Sequence, residues 1–279
     1  MKINRIDSAF SKLVNNGYKS ALITYITAGD PSVESTVPLL HSLANSGVDI
    51  LEIGIPFSDP MADGPVIQQA SERAIRNGVG LKQVLNYVKE FRTKNNTTPV
   101  VLMGYANPIE NMGHKNFVQA AKDAGVDGVL VVDYPPEESE EFSKLLNENG
   151  INMIFLLSPT SGEDRIKLIS SIANGYVYYV SLKGVTGSKD INIEEVSDRL
   201  NLIKKHIKIP VGVGFGIRDA ASAQQISKCA DAVVIGSKLI EIIQDVFNKS
   251  SVDKKQVDSI AAASKWISDI KDAMNRNNV

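Results

Sequence analysis

Asp49-Ile50-Leu51-Glu52-Ile53-Gly54 reads as a β-strand covered on both faces, because its apolar residues run on instead of alternating with polar ones. Glu52 interrupts that run. Stripping water from an unpaired carboxylate is costly or drives its pKa upward, so a Glu here is either neutralised by a partner or kept for proton transfer. Strand periodicity sets Glu52 and Gly54 on one side and Leu51 and Ile53 on the other, which lets Glu52 point inward while its neighbours pack outward. The chain continues Ile55-Pro56-Phe57-Ser58-Asp59-Pro60-Met61-Ala62-Asp63-Gly64-Pro65, a loop stiffened by proline and bent by glycine that carries a second acid, Asp63.

Runs of the same kind recur on either side. They span Ala21 to Thr27, Pro99 to Met103, Gly128 to Val132, Asn152 to Leu157, Tyr176 to Ser181, Val211 to Gly214 and Ala232 to Ile235, which with the first makes eight strands. Amphipathic segments alternate with them, from Val33 to Asn45, Leu81 to Thr93, Asn116 to Ala124, Glu137 to Asn149, Asp164 to Ile172, Ile193 to Lys205 and Asp219 to Ser227, with a long terminal helix containing Trp266. Gly47, Gly125, Gly150 and Gly175 fall where helices stop. Eight strand-helix units without a linker point to a (β/α)8 TIM barrel over residues 1–279 as a single domain. An extra N-terminal helix from residue 3 to 15, capped by Asn4, lies outside the pattern. The competing open sheet announces itself by G-x-G-x-x-G after its first strand, and that signature is missing.

Composition is that of a soluble globular chain, 43% hydrophobic and 22% charged, with a formal net charge of -2. Nothing calls for nucleic acid, which favours a clustered basic face, and no apolar run is long enough for a signal peptide or a membrane span. A cytoplasmic location is expected. Cys229 is the single cysteine, and His41, His114 and His206 are too scattered to suggest a metal site.

Barrels of this type place their chemistry at the C-terminal ends of the strands. The glycine-rich turns at Gly214-Phe215-Gly216 and Gly236-Ser237 lie after the seventh and eighth strands, where backbone N–H groups and a helix start favour an anion such as phosphate. Tight turns alone are the competing reading. Gly184-Val185-Thr186-Gly187-Ser188 opens a polar loop that suits a lid or an ordinary connection. A satisfied core carboxylate at Glu52 and a helix cap at Asp63 are the bland alternatives to a catalytic pair. Lys183 offers a Schiff-base aldolase as a rival, and a non-catalytic phosphate-binding barrel is another.

These residues carry a resemblance. From Tyr25-Ile26-Thr27-Ala28-Gly29-Asp30-Pro31, through Glu52 to Pro65, to Gly184-Val185-Thr186-Gly187, Gly214-Phe215-Gly216 and Gly236-Ser237, the chain resembles the tryptophan synthase alpha-subunit family. The resemblance implies a lyase that cleaves indole-3-glycerol phosphate to indole and glyceraldehyde 3-phosphate, with Glu52 and Asp63 as catalytic pair. It implies phosphate contacts at Gly187, Gly214, Phe215, Gly216, Gly236 and Ser237, and a substrate pocket with Tyr25, Tyr105, Tyr178 and Thr186. No cofactor is implied in this chain; pyridoxal phosphate is expected in a partner beta subunit, in an α2β2 heterotetramer. By the same resemblance Pro56, Phe57, Asp59, Asn107 and Pro108 would face that partner. Met61, Tyr25 and Leu182-Lys183 depart from the commoner pattern, and the last pair bears on lid contacts.

Overall fold

The computed structural model describes residues 4–180, 193–214 and 216–276. Strands β1 (Ala21–Thr27), β2 (Ile50–Gly54), β3 (Val100–Gly104), β4 (Gly128–Val131), β5 (Asn152–Leu157), β6 (Val177–Val180), β7 (Val211–Gly214) and β8 (Ala232–Ile235) pair in parallel in chain order, and β8 closes on β1. The helices are α1 (Arg5–Asn15), α2 (Thr36–Asn45), α3 (Pro65–Arg76), α4 (Leu81–Arg92), α5 (Ala106–Met112) and α6 (His114–Ala124), followed by α7 (Glu140–Glu148), α8 (Glu163–Ile172), α9 (Ile193–His206), α10 (Ala220–Ile226), α11 (Ser237–Lys249) and α12 (Lys255–Asn275).

The continuous apolar runs have two destinations. Leu22, Ile26, Leu51, Ile53 and Leu102 pack outward against the helices. Ile23, Ile50, Val101, Leu130, Ile154 and Val234 fill the interior, as the two-residue period of a strand requires. The expected N-terminal helix is α1, with the Asn4 side chain accepting from Ile6 N–H. It delivers Ile6 and Leu13 to the inner cluster and stops the lower end of the barrel. Gly128 makes room for this plug, since a Cβ there would stand 2.6 Å from Ile154 Cδ1 and 3.0 Å from Ile6 Cδ1.

At the same end, residues just before the even-numbered strands hold the preceding strands in register. Asp49, Asp127, Asn174 and Asp231 accept the backbone N–H of Leu22, Val100, Met153 and Val211 at 2.7, 2.8, 3.1 and 2.9 Å. The three aspartates are each neutralised, by Lys271, by Arg92 with Arg5, and by Lys204. Asp127, 3% exposed, would be costly here without its cations.

Several expectations change in detail. Two helices, α3 and α5, are additional, because α3 buries chiefly the small residues Ala70, Ser71 and Ala74, and α5 is short. The terminal helix containing Trp266 is α12, separated from α11 after Lys249. β6 begins at Val177 rather than Tyr176, and Ser181 lies outside the described residues. The stretch from Val33 begins as a 3-10 turn before α2. Gly47, Gly125 and Gly150 take positive φ at helix ends, as the sequence suggests, whereas Gly175 takes positive φ in the turn into β6, two residues beyond Ala173, the extended cap of α8.

Candidate active site

Glu52 points into the barrel from β2 and is 1% exposed. Its Oε1 accepts a hydrogen bond from the Tyr176 hydroxyl, and Tyr176 in turn lies 6.2 Å, centroid to centroid, from Phe10 of α1. Among the described residues Oε2 has no partner. Desolvation pushes the carboxyl up to about 7, against a smaller downward pull from Tyr176. Glu52 is therefore held at one oxygen and open at the other, which departs from a fully satisfied core carboxylate.

Asp63 arrives by another route. After β2 the chain turns through Met61 N–H to Asp59 O and Asp63 N–H to Pro60 O, and α3 starts with Gly64 as cap and Pro65 in its first turn. Asp63 does not cap that helix. Its Oδ2 accepts from the Tyr105 hydroxyl at 3.0 Å, while the Tyr105 oxygen accepts from Ala62 N–H at 3.1 Å. Tyr105 stacks on Phe57 at 5.2 Å and stands just before α5, whose first N–H is held by Asp133 at 2.8 Å. The far end of α3 is fixed by Arg73, which grips the buried Asp30 with two bonds of 2.6 and 3.0 Å. Burial pushes Asp63 up and the Tyr105 hydrogen bond pulls it down.

Both acids face one cavity of about 850 Å³ at the C-terminal ends of the strands. Three zones line it. Glu52 and Asp63 form an acidic zone; Tyr25, Met103, Val132, Leu156 and Tyr178 form an apolar waist; Gly216, Arg218, Gly236, Ser237 and Lys238 form a glycine-rich and basic zone, with Arg165 at the rim. The phenols of Tyr25 and Tyr178 are raised first by burial and then by the two carboxylates, so each ring lies within the field of both acids. At the start of α11 no side chain caps the free N–H groups, an arrangement that favours an anion.

Of the residues singled out from sequence, Glu52, Asp63, Tyr25, Tyr178, Gly216, Gly236 and Ser237 are brought together around this space. Tyr105 is not among the lining residues and instead supports Asp63 from behind. Gly214 is also absent from the lining. A Cβ there would stand 2.2 Å from the Tyr178 oxygen, just as one at Gly54 would stand 2.1 Å from that of Tyr25, so both glycines give up volume to a ring. Thr186, Gly187, Phe215 and Lys183 lie outside the described residues, as does the loop from 184 to 188.

Sequence reading passed over Tyr176, Arg165, Arg218 and Lys238. Tyr176 was discoverable, since it precedes Tyr178 by one strand period and must face the same interior. Among the described residues no group of His, Cys, Asp or Glu is arranged to hold a metal, and no helix is long and apolar enough to cross a membrane.

Comparison with known proteins agrees with this geometry. A family model described as "Tryptophan synthase alpha chain" matches residues 10–271. The tryptophan synthase alpha chain of Bordetella parapertussis is 58% identical over 272 residues, covering 98% of this chain and 95% of that one. That of Cupriavidus pinatubonensis is 59% identical over 251 residues, covering 90% and 94%. Among solved structures, tryptophan synthase subunit alpha from Legionella pneumophila superposes with a TM-score of 0.90 at 42% identity, covering 98% and 99%. A chain from a study of mutual activation of the tryptophan synthase a2b2 complex of Pyrococcus furiosus gives 0.82 at 37% identity, covering 91% and 99%.

Proposed function

The chain belongs to the tryptophan synthase alpha chain family and is a lyase that cleaves indole-3-glycerol phosphate to indole and glyceraldehyde 3-phosphate; we propose that Glu52 and Asp63 carry that cleavage. The observation behind the assignment is the make-up of the cavity: two acids, apolar and aromatic side chains, and glycines with a helix start after β7 and β8 line one space. The substrate asks for the same three kinds of contact, for its reacting carbon and indole N–H, its flat ring and its phosphate.

The bond to be broken joins C3 of the indole ring to the glycerol chain, and a ring carbanion would be a poor leaving group. Glu52, protonated near neutral pH, gives a proton to C3 through its open Oε2. Positive charge then spreads to the ring nitrogen. Asp63, held through Oδ2 by Tyr105, accepts the indole N–H through Oδ1 and stabilises that charge. The Glu52 carboxylate next takes the proton from the neighbouring side-chain hydroxyl as a carbonyl forms. The carbon-carbon bond breaks and its electron pair returns to the ring. One proton is lent and one recovered, so Glu52 ends as it began.

The phosphate is received by backbone N–H groups at Gly216 and Gly236 and by Ser237 at the start of α11. Gly187, Phe215 and Thr186 complete that reading from the resemblance. The tryptophan synthase a2b2 assembly named for the Pyrococcus furiosus relative supports a beta subunit as partner here, with pyridoxal phosphate on the partner's side. The beta subunit's seat is the face formed by the loop after β2, with Phe57 and Asp59, and the first turn of α5, with Asn107 and Pro108; Met61 in that loop is 78% exposed.

Purified chain incubated with indole-3-glycerol phosphate, alone and with a beta subunit, is expected to release indole. Glu52→Gln should lower the rate by roughly 100-fold or more, the usual scale for an acid-base group. Turnover unchanged in that variant would remove Glu52 from the mechanism.

A further inference from the structure

Backbone N–H groups recognise an anion by partial charge, yet a phosphate monoester brings close to two full negative charges into the cavity. The residues that answer that charge need not be the glycines. Three cations line the cavity, Arg165 in the first turn of α8, Arg218 from the loop after β7 and Lys238 in the first turn of α11. In the closed strand order they follow β5, β7 and β8, whereas Glu52 and Asp63 belong to β2 and the loop after it. Arg218 is exposed, and among the described residues its guanidinium has no carboxylate partner. Arg165 approaches Glu137 at 3.9 Å, the long limit of an ion pair, between two exposed side chains. Lys238 is half-buried and pairs at 3.1 Å with Glu241, which also lines the cavity.

We propose that Arg165, Arg218 and Lys238 form a cationic collar that selects the phosphorylated end of the substrate, and that Glu241 acts as the counter-ion that Lys238 exchanges for it. The inference rests on the reading of the cavity given above and adds its specificity residues. With acids on β2 and its loop and cations following β5, β7 and β8, the cavity has an electrical direction although the whole chain is nearly neutral, at a formal charge of -2. A phosphorylated indole derivative enters with one orientation favoured and the reverse opposed at both ends. The lysine suits an exchange of partners because its charge sits on a flexible stem, whereas the planar arginine forks suit paired phosphate oxygens.

The collar is tested with glycerol 3-phosphate and indole as separate probes of the two ends. Arg218→Gln and Lys238→Gln are each expected to weaken glycerol 3-phosphate binding about tenfold, the scale of a charge-assisted hydrogen bond, and to leave indole binding unchanged. KM for indole-3-glycerol phosphate should rise in parallel while kcat holds. Glu241→Gln should act in the opposite sense and tighten glycerol 3-phosphate roughly two- to threefold, because it frees Lys238. Lys249→Gln, at the other end of α11, serves as the control for a charge lost anywhere on the helix. In wild-type enzyme kcat/KM should fall with added salt more steeply than in the Arg218→Gln/Lys238→Gln pair. Glycerol 3-phosphate affinity within twofold of wild type in both single variants, or weakened by Glu241→Gln, overturns the collar. Failure of the wild-type chain to cleave indole-3-glycerol phosphate would instead overturn the functional reading itself.

Discussion

Tyr176 donates its phenolic hydrogen to Glu52 Oε1, and through its ring it connects that buried carboxyl to Phe10 of the plug helix α1. This is the contact that pulls the Glu52 pKa downward against its burial. In Tyr176→Phe the ring remains, the donor is lost, and the carboxyl should hold its proton to higher pH. The expected result is a basic limb of the kcat/KM profile displaced upward by about one unit, read from pH-rate curves of the two proteins. An unmoved limb would mean that the hydrogen bond does not tune the acid.

The same burial makes Glu52 a cost to the fold. An acid whose pKa is higher in the folded than in the unfolded chain is stabilising at low pH, and that contribution is lost as pH climbs from 4.5 to about 7. Glu52→Gln should therefore match wild type near pH 4 and be more stable at pH 8, by up to roughly 3 kcal/mol. Denaturant unfolding at the two pH values checks the sign. The variant that cleaves least is expected to be the more stable one.

Tyr105 serves Asp63 with one hydrogen bond and Ala62 with another while stacking on Phe57. Tyr105→Phe keeps the stack and loses both bonds. A drop in kcat of about tenfold is expected, smaller than for Asp63→Asn, since the carboxylate remains but is free to turn. Comparing the two variants by steady-state kinetics separates holding Asp63 in place from supplying its charge.

Gly54 and Tyr25 share one volume, with 2.1 Å between the Tyr25 oxygen and the site of an added Cβ. Gly54→Ala should destabilise the protein by about 1–3 kcal/mol, as overpacking does. Combining it with Tyr25→Val should restore most of the thermal stability and less of the activity, because Tyr25 also lines the cavity.

At the opposite end, Asp127 is 3% exposed and holds Arg92, Arg5 and the Val100 N–H. Asp127→Ala leaves the buried Arg92 without its carboxylate and should cost about 3–5 kcal/mol. Its kcat, measured where the variant is still folded, should match wild type, because this end of the barrel supports the fold and the other carries the chemistry.

The strands were legible because each is a dense apolar run, and Glu52 stood out because it breaks one. α3 was harder to read. Its polar and apolar faces are well separated, but it follows directly on the proline-glycine loop that carries Asp63, and its buried residues Ala70, Ser71 and Ala74 are small where the recognised helices bury Leu, Ile or Val. α5 carries Pro108 within its first turn and has seven residues, too few for a period to register. Glu52 and Asp63 could be paired from sequence as two acids near one rim, but the tyrosines that hold them stand just after β3 and just before β6, far from both acids in the chain. Arg218 and Lys238 look like ordinary surface charges until the barrel closes and turns them toward a common hollow.

The plug made by α1 closes one way out of the barrel. A vessel stoppered below empties from the top. Ile6 and Leu13 fill the end below the 1%-exposed Glu52, so under the proposed chemistry both fragments leave past the C-terminal ends of the strands. Both products should then compete with fresh substrate for the vacated enzyme, which product-inhibition kinetics would read.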